Sequence, residues 1–162
     1  MSLFTENYSI VGMIEPADNQ GGGIDSESID MSKLHRVSLI YQAGAITGDD
    51  SVIKLYAGAT TGVKTTEVPF HYRLSGADFK ATGNDQFGNR TAVAIGGTGL
   101  TMSAAAYGNR IVVIDVDGTD MPDGLEWLTV DYDDGSASVL LSSMIAIGEP
   151  RYLANDVLTV VA

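Results

Sequence analysis

The residues best placed to do chemistry are the aspartates of DVDGTD, where Asp115, Asp117 and Asp120 flank Gly118, with Asp123, Asp131, Asp133 and Asp134 following closely. Alternating carboxylates on a loop are what a hard cation such as calcium requires, because several oxygens must converge on it at short range. The spacing favours a turn. An EF-hand loop carries glycine at its sixth position, and counting from Asp115 that position is Asp120. Aspartate and glycine are also the ordinary residues of tight turns. Asp115, Asp117 and Asp120 are therefore kept only as the candidate ligands should a metal bind.

Other reactive residue types are sparse. The two histidines, His35 and His71, lack the partners of a zinc site or a catalytic triad. His71 reads as solvated on a polar strand face, and His35 as a hydrogen-bonded structural residue. In IGGTGL, Gly96, Gly97 and Gly99 are followed by Leu100 and Thr101, where a phosphate loop needs lysine and a hydroxyl. No cysteine is present, which excludes thiol catalysis, thiolate metal sites and disulfides. Acidic residues are everywhere, yet no two are singled out as a glycosidase pair. Trp127 and the seven tyrosines read as core and loop anchors. No catalytic residue and no cofactor is assigned.

Nine Lys and Arg against twenty-one Asp and Glu give a formal charge of −12. Such a surface repels phosphate backbones and anionic lipid, so neither nucleic acid nor a membrane is expected as partner. No stretch has the length of a membrane span, and MSLFTENYSIVG has neither the basic residues nor the apolar run of a secretory signal. A chain of 162 residues suits one domain, which buries roughly 70% of its unfolded surface without staples.

The elements that must position these residues are short strands. Nineteen glycines against four prolines, among many Thr, Val and Ser residues, predict an all-β protein with tight turns. Residues 1–23 read as an N-terminal arm or entry segment with a strand over Tyr8 to Glu15, and 24–162 as the β domain. Ile24 to Met31 reads as an edge strand, and His35, Val37, Leu39 and Tyr41 are predicted to share a face. AGAITG at 43–48 and AGATTG at 57–62 read as similar turns at successive strand ends. FGNR at 87–90 and YGNR at 107–110 read as turns entering strands, each anchored by its aromatic. From Thr65, Val68, Phe70, Tyr72 and Leu74 are predicted inward on a strand that Pro69 confines to an edge or a bulge.

The longest apolar pattern, LEWLTVDYDDGSASVLLSSMIAIGEPRY at 125–152, reads as a central hairpin. Its first arm places Leu128, Val130 and Tyr132 on one face, and its second groups Ala137, Val139, Leu141, Ile145 and Ile147. Residues 136–147 also fit helical spacing, and the preceding turn, serines and β-branched residues favour strand. The apolar terminus, 156–162, is expected to pair or to sit under a neighbouring subunit.

Three segments, IDMSKLHRVSLIYQAGA, VPFHYRLSGAD and RIVVIDVDGTDMPDGLEWLTVDYDDGSASVLLSSMIAIGEPRY, resemble the capsid decoration, or cement, proteins of tailed bacteriophages over most of residues 29–152. The resemblance implies a single-domain antiparallel β-sandwich, jelly-roll-like, with short helical or irregular insertions. It implies a non-enzymatic homo-oligomer, trimer favoured, that binds the major capsid protein and stabilises the head. Its location would be the outer capsid surface of the virion, after assembly in the host cytoplasm. Residues 1–23 and 156–162 are then the candidate contact segments. One rival is a tail or head-fibre module that binds a host surface. The other is a calcium-dependent or glycan-cleaving enzyme that would lose turnover when Asp115 or Asp117 becomes alanine.

Overall fold

Side chains that alternate between large apolar and small or polar let a strand bury one face, and two such sheets close a core between them. A computed structural model describes residues 3–18, 23–48, 50–133, 140–152 and 160–161. In chain order its strands are β1 (Ser9–Asp18), β2 (Ile24–Asp25), β3 (Ile29–Asp30), β4 (Leu34–Ile46), β5 (Ser51–Gly58) and β6 (Thr66–Glu67). They continue with β7 (Phe70–Leu74), β8 (Thr91–Val93), β9 (Leu100–Met102), β10 (Ile111–Asp117), β11 (Trp127–Asp133) and β12 (Leu140–Pro150). One-turn helices α1 (Phe4–Asn7) and α2 (Ala104–Tyr107) and two short 3-10 turns complete the set. No described helix is long and apolar enough to cross a membrane.

The first sheet has the order β1-β12-β4-β10-β7-β8. In the second, β2 and β3 flank one side of β11, β5 pairs with its other side, and β6 and β9 share the far edge of β5. With β2 and β3 counted as one broken strand and β6 to β8 as an insertion, eight strands remain. They run first-eighth-third-sixth in one sheet and second-seventh-fourth-fifth in the other. That is the order of a jelly roll, an all-β antiparallel sandwich in which most connections cross from sheet to sheet.

The crossing rule overturns the central hairpin. β11 pairs with β5, β2 and β3, whereas β12 lies in the opposite sheet between β1 and β4. Two apolar arms around a turn signal look the same locally whether they pair with each other or face each other across a core. Here the long ladder of β12 with β4, from Leu140 opposite Ile46 to Pro150 opposite Leu34, decides. Strand, not helix, holds from Leu140 onward, while residues 134–139 of that reading lie outside the described residues.

Other expectations change for similar reasons. Ser9–Asp18 is a full strand paired with β12, so residue 23 does not divide an arm from the domain. Pro69 marks neither an edge nor a bulge. It stands between β6 in one sheet and β7 in the other, where the chain crosses and no ladder donor is needed. The inward set Val68, Phe70, Tyr72 and Leu74 is buried or half-buried. His35 leaves the face of Val37, Leu39 and Tyr41, because the ladder steps from Glu149 opposite Arg36 to Pro150 opposite Leu34 and the skipped residue is turned out to solvent. AGAITG continues β4 as far as Ile46, whereas AGATTG leaves β5 after Gly58, so the two are not equivalent turns.

The core lies between Val37, Leu39, Tyr41, Ile114 and Met144 of one sheet and Ile53, Leu55, Leu128, Val130 and Tyr132 of the other, all fully buried. Tyr41 and Tyr132 meet across it with ring centroids 5.7 Å apart. At the terminus Val160 is buried, Val161 bridges to Ile29, and the Asp30 amide donates to the Val160 carbonyl at 2.8 Å. The described end of the chain thus pairs with its own β3. The rest of that terminal segment, 156–159 and 162, lies outside the described residues.

Asp30 locks this corner. Its carboxylate accepts from the Ser32 amide at 3.1 Å and hydroxyl at 2.6 Å and pairs with Lys33 at 3.0 Å. Burial pushes its pKa up, but the Ser32 and Lys33 donors outweigh burial, and the net value is lowered from 3.8. A depressed folded pKa gives stability that is full above the unfolded value and is lost as pH falls through the folded one. Asp30→Asn is therefore expected to cost about 1–2 kcal/mol at pH 7, with the difference shrinking as pH drops below 3.8. Denaturant titrations at both pH values check this.

Candidate interaction surface

The aspartates singled out by sequence are already engaged. Asp115, on β10, accepts a hydrogen bond from the Ser38 hydroxyl at 2.7 Å. Asp117 accepts from the Thr119 amide at 3.0 Å and hydroxyl at 2.8 Å, and Asp120 accepts from the Asp117 amide at 3.1 Å, which closes a capped turn. The Thr119 donors hold the Asp117 carboxyl below its ordinary range. Glu126 stands twelfth from Asp115, a calcium-loop spacing that the sequence does carry. Asp115, however, belongs to a strand rather than a loop, and no metal-holding group of His, Asp or Glu occurs among the described residues. Addition of calcium or of a chelator is expected to leave the thermal midpoint unchanged, since a ligand that bound the native state would raise it.

The remaining candidates are dispersed. His35 is exposed at its bulge, and His71 lies half-buried on the outer face opposite Asp115. In the glycine loop the Gly96 amide donates to Glu67 Oε2 at 2.9 Å, so a carboxylate occupies the donor that a phosphate would use. Trp127 is half-buried at the start of β11. Of the two aromatic-Gly-Asn-Arg turns, only the second is anchored as expected. Tyr107 is half-buried and its hydroxyl lies 3.0 Å from that of Tyr72, and burial together with this hydrogen bond raises its pKa. Phe87 is exposed.

What the fold does bring together is apolar and faces outward. An antiparallel sheet with one solvated face ordinarily alternates apolar in and polar out. β12 reverses the sizes: Ser142, Met144, Ala146 and Gly148 point inward, while Leu141, Ile145 and Ile147 point out. Apart from Met144 the inward side is small, and at Gly148 space is short, since a Cβ there would lie 2.8 Å from Leu34 Cδ1. Leu141 is 60% and Ile145 38% exposed.

Neighbouring strands extend this face. Ile10, Ile147, Ser38, Asp115 and His71 form one cross-strand row, and Gly12, Ile145, Ile40, Val113 and Arg73 form the next. Ile10 is 54% exposed, and before it Tyr8, Phe4 and Leu3 are exposed as well, with the Phe4 and Tyr8 rings stacked at 4.8 Å. Charge is thin here. Across β12, β4, β10 and β7, Arg36 and Arg73 offset two of the three carboxylates Asp115, Asp117 and Glu149, while α1 and β1 add the exposed Glu6 and Glu15. Arg36 and Glu149 pair directly at 2.8 Å.

Exposed apolar side chains gathered on one sheet face make this the candidate interaction surface of the described residues. The sequence carried the signal in the apolar residues at alternate positions 141, 145 and 147, but which face they occupied depended on the sheet assignment of β12. Scans against protein-family models, curated proteins and solved structures return no match for this chain.

Proposed function

We propose that this protein is a structural component of a tailed-phage virion that binds the outside of the capsid and stabilises the head lattice. The observation that carries this reading is the outward apolar face of β12 and its neighbours, joined to the sequence resemblance over residues 29–152. A jelly-roll core is stiff, and a stiff module with an exposed apolar face is suited to hold adjacent subunits in register. The partner in this reading is the major capsid protein, and the contact is the sheet face around Ile145 and Ile40 together with Leu3, Phe4 and Tyr8. This differs from a contact made by flexible ends alone, because the described terminus at Val160 and Val161 is tied to β3.

The test is co-sedimentation of the purified protein with undecorated heads. Saturable binding, with heads that then resist heat or loss of DNA, is the expected result. Absence of saturable binding overturns the proposal, and binding to host cells or glycans in its place would assign the chain to a host-surface module.

A further inference from the structure

A cleft of about 680 Å³ opens where the edge strand β1 meets β2, at the sandwich edge opposite β8 and β6. Ile24, Pro16, Ala17 and Ile145 supply its accessible apolar lining over the buried Met13, Ile14 and Met144, and Glu15 and Glu27 its charge. The volume falls within the roughly 300–1,000 Å³ of sites that enclose a ligand or a short peptide stretch.

Two further features decide what fits. β1 uses one edge for β12, and its register shifts between Gly12 and Ile14 and again between Ile14 and Ala17. Such bulges bend a strand and re-aim its side chains, and they occur at rims and binding sites. On its other edge, among the described residues, the Glu27 amide donates to the Met13 carbonyl at 3.3 Å, and no strand lies alongside. An edge of that kind offers main-chain groups to an extended segment. The second feature is charge. Asp25, also at the cleft, is held by Lys64 at 2.7 Å, but Glu15 and Glu27 have no cationic partner among the described residues.

We infer that this cleft holds an extended peptide segment of another polypeptide, which lays apolar side chains against Ile24, Pro16 and Ala17 and sets a lysine or arginine between Glu15 and Glu27. A small amine would satisfy the carboxylates but leave the free edge and the apolar lining unused. The inference stands on the cleft alone and does not require the partner to be a capsid subunit.

The experiment uses the full chain and two capped peptides of about seven residues, alternating Val with Lys or Val with Glu. Six of its residues match the roughly 17 Å from Gly12 to Ala17 at ~3.3 Å per step, with one to spare. The Val/Lys peptide is expected to bind saturably, with amide shift changes confined to Gly12–Ala17, Ile24–Glu27 and Ser143–Ile145. The double change Glu15→Gln and Glu27→Gln is expected to weaken it by about ten-fold or more with an unchanged thermal midpoint, since both carboxylates are exposed in the free protein. Equal binding of the Val/Glu peptide, unaltered affinity in the double variant, shift changes elsewhere, or no binding would each overturn the inference. Heads are not part of this assay, so its failure leaves the virion proposal to its own test.

Discussion

Ile145→Asp should weaken head binding by ~30- to 1,000-fold while leaving the fold intact. Ile145 lies opposite Gly12 on one side and Ile40 on the other, at the middle of the outward apolar rows, and is 38% exposed in the free chain. A carboxylate there is hydrated as long as the protein is free. Covered by a partner without a matching cation it must be desolvated, and central interface positions of this kind are worth about 2–4 kcal/mol, or ~30- to 1,000-fold in affinity. Because Ile145 is more than half buried on a central strand, the thermal midpoint should fall by about 2–8 °C, corresponding to about 1–2 kcal/mol, with the protein still folded at assay temperature. Ile95→Asp is the control. Ile95 is 58% exposed but sits on the glycine loop beyond β8, away from this face, and its change should leave head binding as it was. Equal loss in both variants, or no loss in Ile145→Asp, would remove the outer face from the interface.

The second large effect concerns the fold itself. Gly58 closes β5, and the loop after it folds back so tightly that a Cβ on Gly58 would lie 1.9 Å from the Val63 carbonyl oxygen and 3.2 Å from that of Thr60. The obstacle is backbone, held by the Val63 amide on Thr60, by the Thr65 amide on Ala57 and by the Gly62 amide on the Ser28 hydroxyl. That hydroxyl also bonds Thr129 at 2.8 Å, so moving the loop disturbs β11 as well. Gly58→Ala is expected to destabilise by about 2–4 kcal/mol, a fall of about 5–15 °C in thermal midpoint. Gly12→Ala is the counterpart: nothing lies within 4 Å of its Cβ position, and alanine in a strand should be neutral or stabilising by up to ~1 kcal/mol. A melting experiment on the two variants separates the cases, and similar midpoints would mean that the loop after Gly58 is free to move aside.

Taken alone, the sequence determined what depends on short-range pattern. The period-two alternation of Val37, Leu39 and Tyr41, of Leu128, Val130 and Tyr132, and of Val68, Phe70, Tyr72 and Leu74 specified strands and their buried faces. Its composition specified an all-β chain, and the turn chemistry of DVDGTD was legible because Asp117 caps its own backbone two residues on. These are local properties, decided by residues that neighbour one another along the chain.

Tertiary structure alone decided which strand lies beside which. A strand's hydrogen-bonding edges are the same in every sequence, so nothing local told β12 to join β1 and β4 rather than β11, or told Pro69 to cross between sheets. His35 turned outward through a one-residue slip in a ladder with β12, whose residues lie more than a hundred positions away. The outward apolar face has the same origin. Ile10, Ile40, Ile145, Ile147 and Val113 come from four strands spread along the whole chain, and they become one surface only when the jelly-roll order brings those strands together.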